Sequence, residues 1–230
     1  MVRGLYNIRF GADHCPYCGN LADTKDHVPS KGFLDEPYPK MLRVIPCCKR
    51  CNSSFSLDEE YAFCAIECYV CRSLKIEDLE RVKVQKILEH SPSILYGLVE
   101  QNADNNSSNI KIDWNRVGNA IKKNLIGHAY FELGTDVGNI EEFWVKPLDN
   151  LSITELSKFL SDEYPKIVPE IGSRLSQHQY VISEDGKNVG HFVNTWHVID
   201  EKNYKYFVCV ESKTVKAVIR GKIAAFMRFQ

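Results

Sequence analysis

Cys15-Pro16-Tyr17-Cys18, Thr24-Lys25-Asp26-His27-Val28-Pro29 and Cys48-Lys49-Arg50-Cys51-Asn52 all fall between residues 15 and 60. Each C-x-x-C turn aims two sulfurs at one point, and Gly19 lets the backbone pass close by the first pair. Together Cys15, Cys18, Cys48 and Cys51 make a tetrahedral zinc set. Cys47 could compete with its neighbour, but only Cys48 stands at C-x-x-C spacing to Cys51. The residues between the pairs suffice for a hairpin, with Val28 and Leu42–Ile45 in its two short strands. Such a zinc is structural: it clamps a region too small to fold on apolar burial alone.

Outward from this stretch the pattern turns helical. Leu57, Tyr61, Cys64, Ile66 and Cys68 fall at near-helical spacing, and Asp58, Glu59 and Glu60 suit an N-terminal turn. Cys64, Cys68 and Cys71 share one helix face; buried packing thiols are favoured there over a second metal. A second helix is predicted over Ile76–His90, with Ser91-Pro92 restarting another. The run Gln101–Asn109, rich in Asn, Asp and Ser, reads as a linker. Asp113 then caps a helix from Trp114 to Leu133, stopped by Gly134. Ser152 and Glu155 form a capping box for a short helix.

The C-terminal part is predicted as antiparallel strands over Gln179–Ser183, Val189–Ile199, Tyr204–Glu211, Lys213–Arg220 and Ala224–Phe229, with a turn at Asp185-Gly186. Tyr204, Tyr206, Phe207, Cys209, Phe226 and Phe229 belong to its core, and a short lead-in or strand precedes Cys15. The fold class is α+β. Residues 1–104 form a zinc-stapled ββα module with added helices, 105–111 a linker, and 112–230 a helix plus antiparallel-sheet domain of unassigned role.

Composition narrows the partners. A hydrophobic share of 44% and a charged share of 26% are ordinary for a globular chain. The net charge of -1 excludes a protein coated in positive charge. Attraction to nucleic acid would rest on a local patch, for which Lys25, Arg43 and Lys49 contribute near the cysteines. No basic stretch leads into a long apolar run, and no window is apolar enough for a membrane span, so a cytoplasmic, reducing setting and no membrane partner are expected. There paired C-x-x-C motifs hold metal more often than they form disulfides. His14 adjoins a zinc cysteine and would shield it. His90, His128, His178, His191 and His197 lack ligand spacing, so packing or exposure is expected of them. Lys122-Lys123 and Trp114–Arg116 suit either a phosphate backbone or a solvated helix face.

Asp26-His27 is the reactive candidate. Histidine can take a proton near neutral pH, and a carboxylate is a good first ligand for a hard divalent ion. Neighbours on a strand point to opposite faces, so bringing both into one site requires a local distortion. Asn52 could offer its amide oxygen as a second ligand, or cap the helix that begins there.

The order C-x-x-C, D-H-x-x-P, C-x-x-C-N, with the following run Asn52 to Tyr61, resembles the HNH endonucleases of the ββα-metal class, in a bacterial and phage subgroup with four zinc-binding cysteines. The resemblance covers about residues 12–72. It implies a metal-dependent endonuclease that hydrolyses DNA phosphodiester bonds, with RNA as a further substrate class. His27 matches the general base, and Asp26 and Asn52 match the ligands of one Mg2+ or Mn2+ ion. Lys25, Arg43 and Lys49 would then bind flanking phosphates. The chain departs from the family at the middle letter: Arg43 stands where an Asn usually lies. A non-catalytic zinc-ribbon module that binds nucleic acid or protein stays open beside this reading. The C-terminal part would recognise DNA, sense a trigger or form a homodimer.

Overall fold

Thr24–Val28 (β1) and Arg43–Cys47 (β2) pair antiparallel in unbroken register, from Thr24 opposite Cys47 to Val28 opposite Arg43. Lys49–Ser54 (α1) follows directly, then Ser56–Cys71 (α2), so the order is strand, strand, helix. The computed structural model describes residues 13–40, 42–100, 109–134, 137–161, 181–182, 188–189, 196–209 and 212–230. Residues 1–12, residues 101–108 of the linker, most of the strands predicted over 179–183 and 189–199, and the Asp185-Gly186 turn lie outside them.

The helix predicted over Ile76–His90 is divided. Ile76–Asp78 forms one 3-10 turn, and the α-helix runs only over Val82–His90 (α3). The cause is the buried Glu67 carboxylate, which accepts the backbone N–H groups of Glu80 at 3.0 Å and Arg81 at 2.9 Å. Those donors are thereby satisfied without a helical turn. Arg81 turns its guanidinium the other way, onto the carbonyls of Gly32 and Leu34 and the carboxylate of Asp35. Ser93–Leu98 (α4) follows Pro92 with no side-chain cap from Ser91. Val99–Glu100 (β3) and Asn109–Ile110 (β4) close a short ladder on either side of the linker.

Trp114–Leu133 (α5) begins and ends where the sequence places it. The Asp113 carboxylate accepts the N–H groups of Asn115 and Arg116, and Gly134 ends the helix at φ 69°. Ile140–Pro147 (β5), Ile153–Leu160 (α6) with its Ser152–Glu155 capping box, and two-residue strands Val181–Ile182 (β6) and Asn188–Val189 (β7) come next. His197–Asp200 (β8), Tyr204–Cys209 (β9), Thr214–Ile219 (β10) and Ile223–Phe229 (β11) complete an antiparallel sheet ordered β5-β11-β10-β9-β8. Strand β5 is not foreshadowed by the sequence reading. It joins the sheet at the edge of β11.

Every residue of β10 is buried, because the sheet is covered on both faces. Val215, Ala217 and Ile219 join the main core, which also draws on Phe33, Tyr61, Ile66, Leu88, Ile121 and Leu125. Val218 and Ala224 pack on the opposite side against Phe159 of α6 and Trp144. Helix α5 therefore touches the hairpin, α2 and the sheet together. It packs tightly on the hairpin at Gly127. A Cβ there would stand 2.7 Å from a methyl of Val28 and 3.3 Å from Ile45. Gly127→Ala is expected to cost about 1–3 kcal/mol by overpacking, measured by urea denaturation. Gly118→Ala, on the same helix, meets Phe143 at an ordinary 3.5 Å and should be neutral or stabilising by up to ~1 kcal/mol.

Candidate metal centre and candidate active site

The sulfurs of Cys15, Cys18, Cys48 and Cys51 all lie within 4.8 Å of one another, and those of Cys18 and Cys48 are 3.6 Å apart. Four thiolates bound to one zinc would stand ~3.8 Å apart, so the set fits that ion with little adjustment. Local backbone builds it. The Gly19 N–H closes on the Cys15 carbonyl at 2.8 Å with Gly19 at φ 72°. Cys48 is the N-cap of α1, its sulfur accepting the Cys51 N–H at 3.4 Å. A hydrogen bond from the Asn20 backbone, chiefly, brings the Cys18 thiol down to about 7, toward the thiolate that zinc needs.

Cys47 is buried outside the set, its thiol donating to the Cys48 carbonyl at 3.3 Å. Among the described residues no other three His, Cys, Asp or Glu gather at metal-binding distance. Cys64 and Cys68 are packing thiols that burial pushes up to about 12.

The unbroken register of β1 supplies no distortion at Asp26-His27, so their side chains leave opposite faces. Asp26 points inward and is 6% exposed. His27 is half-buried on the outer face, opposite Val44 and in line with the exposed Lys25. Among the described residues nothing hydrogen-bonds its ring. Burial, then the charge of Lys31, holds its pKa below the usual histidine value, against the opposing pull of Asp26. Both effects favour the neutral imidazole. Asn52 is half-buried in α1 and does not cap it; its side-chain amide has no hydrogen-bond partner among the described residues.

Asp26 is already committed. The ammonium of Lys123, from α5, lies 2.9 Å from Oδ2 and 3.1 Å from Oδ1, and the Tyr17 hydroxyl donates to Oδ2 at 2.9 Å. Lys123 also contacts Glu59 Oε1 at 2.6 Å and Ser30 Oγ at 3.3 Å while only 2% exposed. Ser30 donates its hydroxyl to Glu59 and its backbone N–H to Asn124 Oδ1 at 2.8 Å. Burial and the Asp26 carboxylate raise the Tyr17 pKa well above the usual tyrosine value, so it remains a donor. As arranged, Asp26 and Asn52 do not fit a divalent ion, which needs several free oxygens around one point. Sequence reading singled out none of Tyr17, Ser30 or Asn124, and took Glu59 for a helix-start acid and Lys123 for a surface or phosphate-contacting cation.

The remaining candidates divide. The ammonium groups of Lys25 and Lys49 are exposed and pair with no carboxylate among the described residues, while the Lys49 backbone N–H donates to Asp23 Oδ1 at 2.6 Å. Arg43 instead binds the buried Glu132 of α5 and lies 4.6 Å over the Phe131 ring and 5.2 Å over Tyr206. It pins the hairpin to α5 and the sheet, and is not free to hold a phosphate. Arg116 is likewise spent on Asp58 and the Tyr61 ring.

Beside Arg43, His128 and His197 stack on Tyr206 at 3.7 and 4.8 Å. The Tyr206 hydroxyl donates to Glu132, and Tyr204 meets His128 Nε2. Burial, then Arg43, lowers the His197 pKa to about 4. The unfolded chain therefore binds the extra proton between pH 6.5 and 4, and stability falls as pH falls through that window. His197→Phe should remove roughly 3 kcal/mol of this acid loss at pH 4, read from denaturation midpoints across that range.

No family model, curated protein or solved structure matches this chain. Among the described residues no helix is long and apolar enough to cross a membrane.

Proposed function

We propose that residues 1–104 form an HNH-type module and that the protein hydrolyses phosphodiester bonds, in DNA first and RNA second. The observation that carries this is the His27 imidazole: without a hydrogen-bond partner among the described residues, its neutral form favoured by burial, and half-exposed on a hairpin whose Cys48 end joins the four-sulfur set. His27 takes a proton from water. The resulting oxygen bonds to phosphorus while the bond to the 3′ oxygen breaks, and that oxygen leaves with a solvent proton. Exposed Lys25, two residues away on the same face, and Lys49 at the start of α1 hold flanking phosphates. Zinc on the four cysteines holds the hairpin to α1. The resemblance implies Mg2+ or Mn2+ on Asp26 and Asn52, but with Asp26 paired to Lys123 we assign that ion no step.

End-labelled DNA and RNA strands test the proposal. The expected products carry 5′-phosphate and 3′-hydroxyl ends and disappear with His27→Ala. The pairing of Asp26 with Lys123 and of Arg43 with Glu132 favours a second reading, a non-catalytic zinc-ribbon binding module. That protein would retard the same strands and leave them intact.

A further inference from the structure

Lys123 belongs to α5, far along the chain from the cysteines, yet its ammonium sits against the carboxylate that the nuclease reading needs for a divalent ion. Four oxygens surround Nζ within 3.3 Å: both of Asp26, one of Glu59 and the hydroxyl of Ser30. This is an oxygen-lined position of the kind a hard cation prefers, already filled by a cation of the protein's own. The position is rigidly furnished. Ser30 is tied to Glu59 and to Asn124, the residue after Lys123, and Asn124 is anchored to the Ala120 carbonyl at 2.9 Å.

We propose that Lys123 is a built-in counter-ion that competes with a divalent ion for Asp26, so that the metal binds only when the ammonium is displaced. The proposal rests on the nuclease reading for its choice of ion. The charges favour an exchange. Asp26, Glu59 and Lys123 together carry one net negative charge. With Lys123 withdrawn, the buried Asp26 carboxylate and the part-buried Glu59 carboxylate face one another, and a divalent ion balances them. Two carboxylates this close repel one another, and a cation between them, ammonium or metal, relieves that repulsion. Glu59 has a defined part: it holds the ammonium in place when latched and offers a second carboxylate when the metal enters. Asn52 has no such part.

The test is Mn2+ titration of zinc-loaded, full-length protein, with free Mn2+ followed by EPR. Wild type is expected to bind weakly, and Lys123→Gln to tighten binding by about tenfold or more, since a full like charge is removed at contact distance. Adding Asp26→Asn or Glu59→Gln to Lys123→Gln should abolish the gain, and adding Asn52→Ala should leave it. Equal Mn2+ affinity in wild type and Lys123→Gln would overturn the proposal, as would a gain that survives Glu59→Gln. Should Lys123→Gln fail to fold in zinc alone, Mn2+ must restore its circular dichroism; failure at saturating Mn2+ also overturns it. Strand cleavage measured on the same samples separates the two claims. Tighter Mn2+ binding in Lys123→Gln with no cleavage by either protein removes the nuclease and keeps the latch. Cleavage by wild type without tighter binding in Lys123→Gln removes the latch alone.

Discussion

His27→Ala is expected to lower the rate of plasmid nicking by about 100- to 10,000-fold, the usual contribution of a positioned general base. The same substitution should leave zinc content unchanged and stability within ~0.5 kcal/mol, because it removes a half-exposed ring that holds nothing else in place. That contrast makes the experiment informative. Loss of Asp26 or Arg43 would also lower activity, but each breaks a buried ion pair and costs stability. The pH profile adds a second reading of the same residue. A base must be unprotonated to act, and burial with Lys31 lowers the His27 pKa. The acid limb of nicking should therefore lie at lower pH than an ordinary histidine would give. The variant should lose that acid limb. A fully active His27→Ala protein would remove the imidazole from the chemistry.

Removal of zinc is expected to have the largest effect on stability. The cluster region contributes little apolar burial of its own: Cys15, Cys47 and Cys48, with Tyr17 and Cys51 packed against them, form a satellite separate from the main core. With zinc on the four sulfurs, its folding free energy would come largely from metal binding. Cys48→Ser should abolish bound zinc and the order of residues 13–23, and lower the melting temperature sharply. Cys47→Ser should retain one zinc per chain, since its sulfur lies outside the set. In wild type the midpoint should rise with free zinc, by about 4 kcal/mol at a thousandfold excess over Kd. Zinc per chain by elemental analysis, paired with thermal melts with and without chelator, checks both. A chelated protein that melts unchanged would show that the four sulfurs hold no structural ion.

Local signals were legible where they were self-contained. The C-x-x-C pairs encode their own turn geometry, and Asp113 and Gly134 delimit α5 by capping chemistry that needs no distant partner. The division of the Ile76–His90 segment was not legible. It depends on Glu67, a helix residue whose buried carboxylate takes two backbone donors that a periodicity argument assigns to the helix. The candidate site divides in the same way. Its cysteines, His27 and Asn52 can be read from order and spacing. The partner of Asp26 cannot, because Lys123 arrives 97 residues later through the packing of α5 on the hairpin. Lys122-Lys123 looks like any solvated basic pair in sequence, yet Lys123 is 2% exposed. Arg43 shows the same limit: its fate is decided by Glu132, on the far side of the linker. The alternation of β1 was legible in principle, and its regular pairing keeps Asp26 and His27 apart.

The most direct measurement is plasmid relaxation by the purified, zinc-loaded protein in buffers supplied with Mg2+ or Mn2+. Conversion of supercoiled DNA to the open circle, in proportion to enzyme and time, is the predicted result. DNA that is retarded on the gel yet stays supercoiled under every condition would contradict it, and would leave a zinc-clamped binding surface in place of a nuclease.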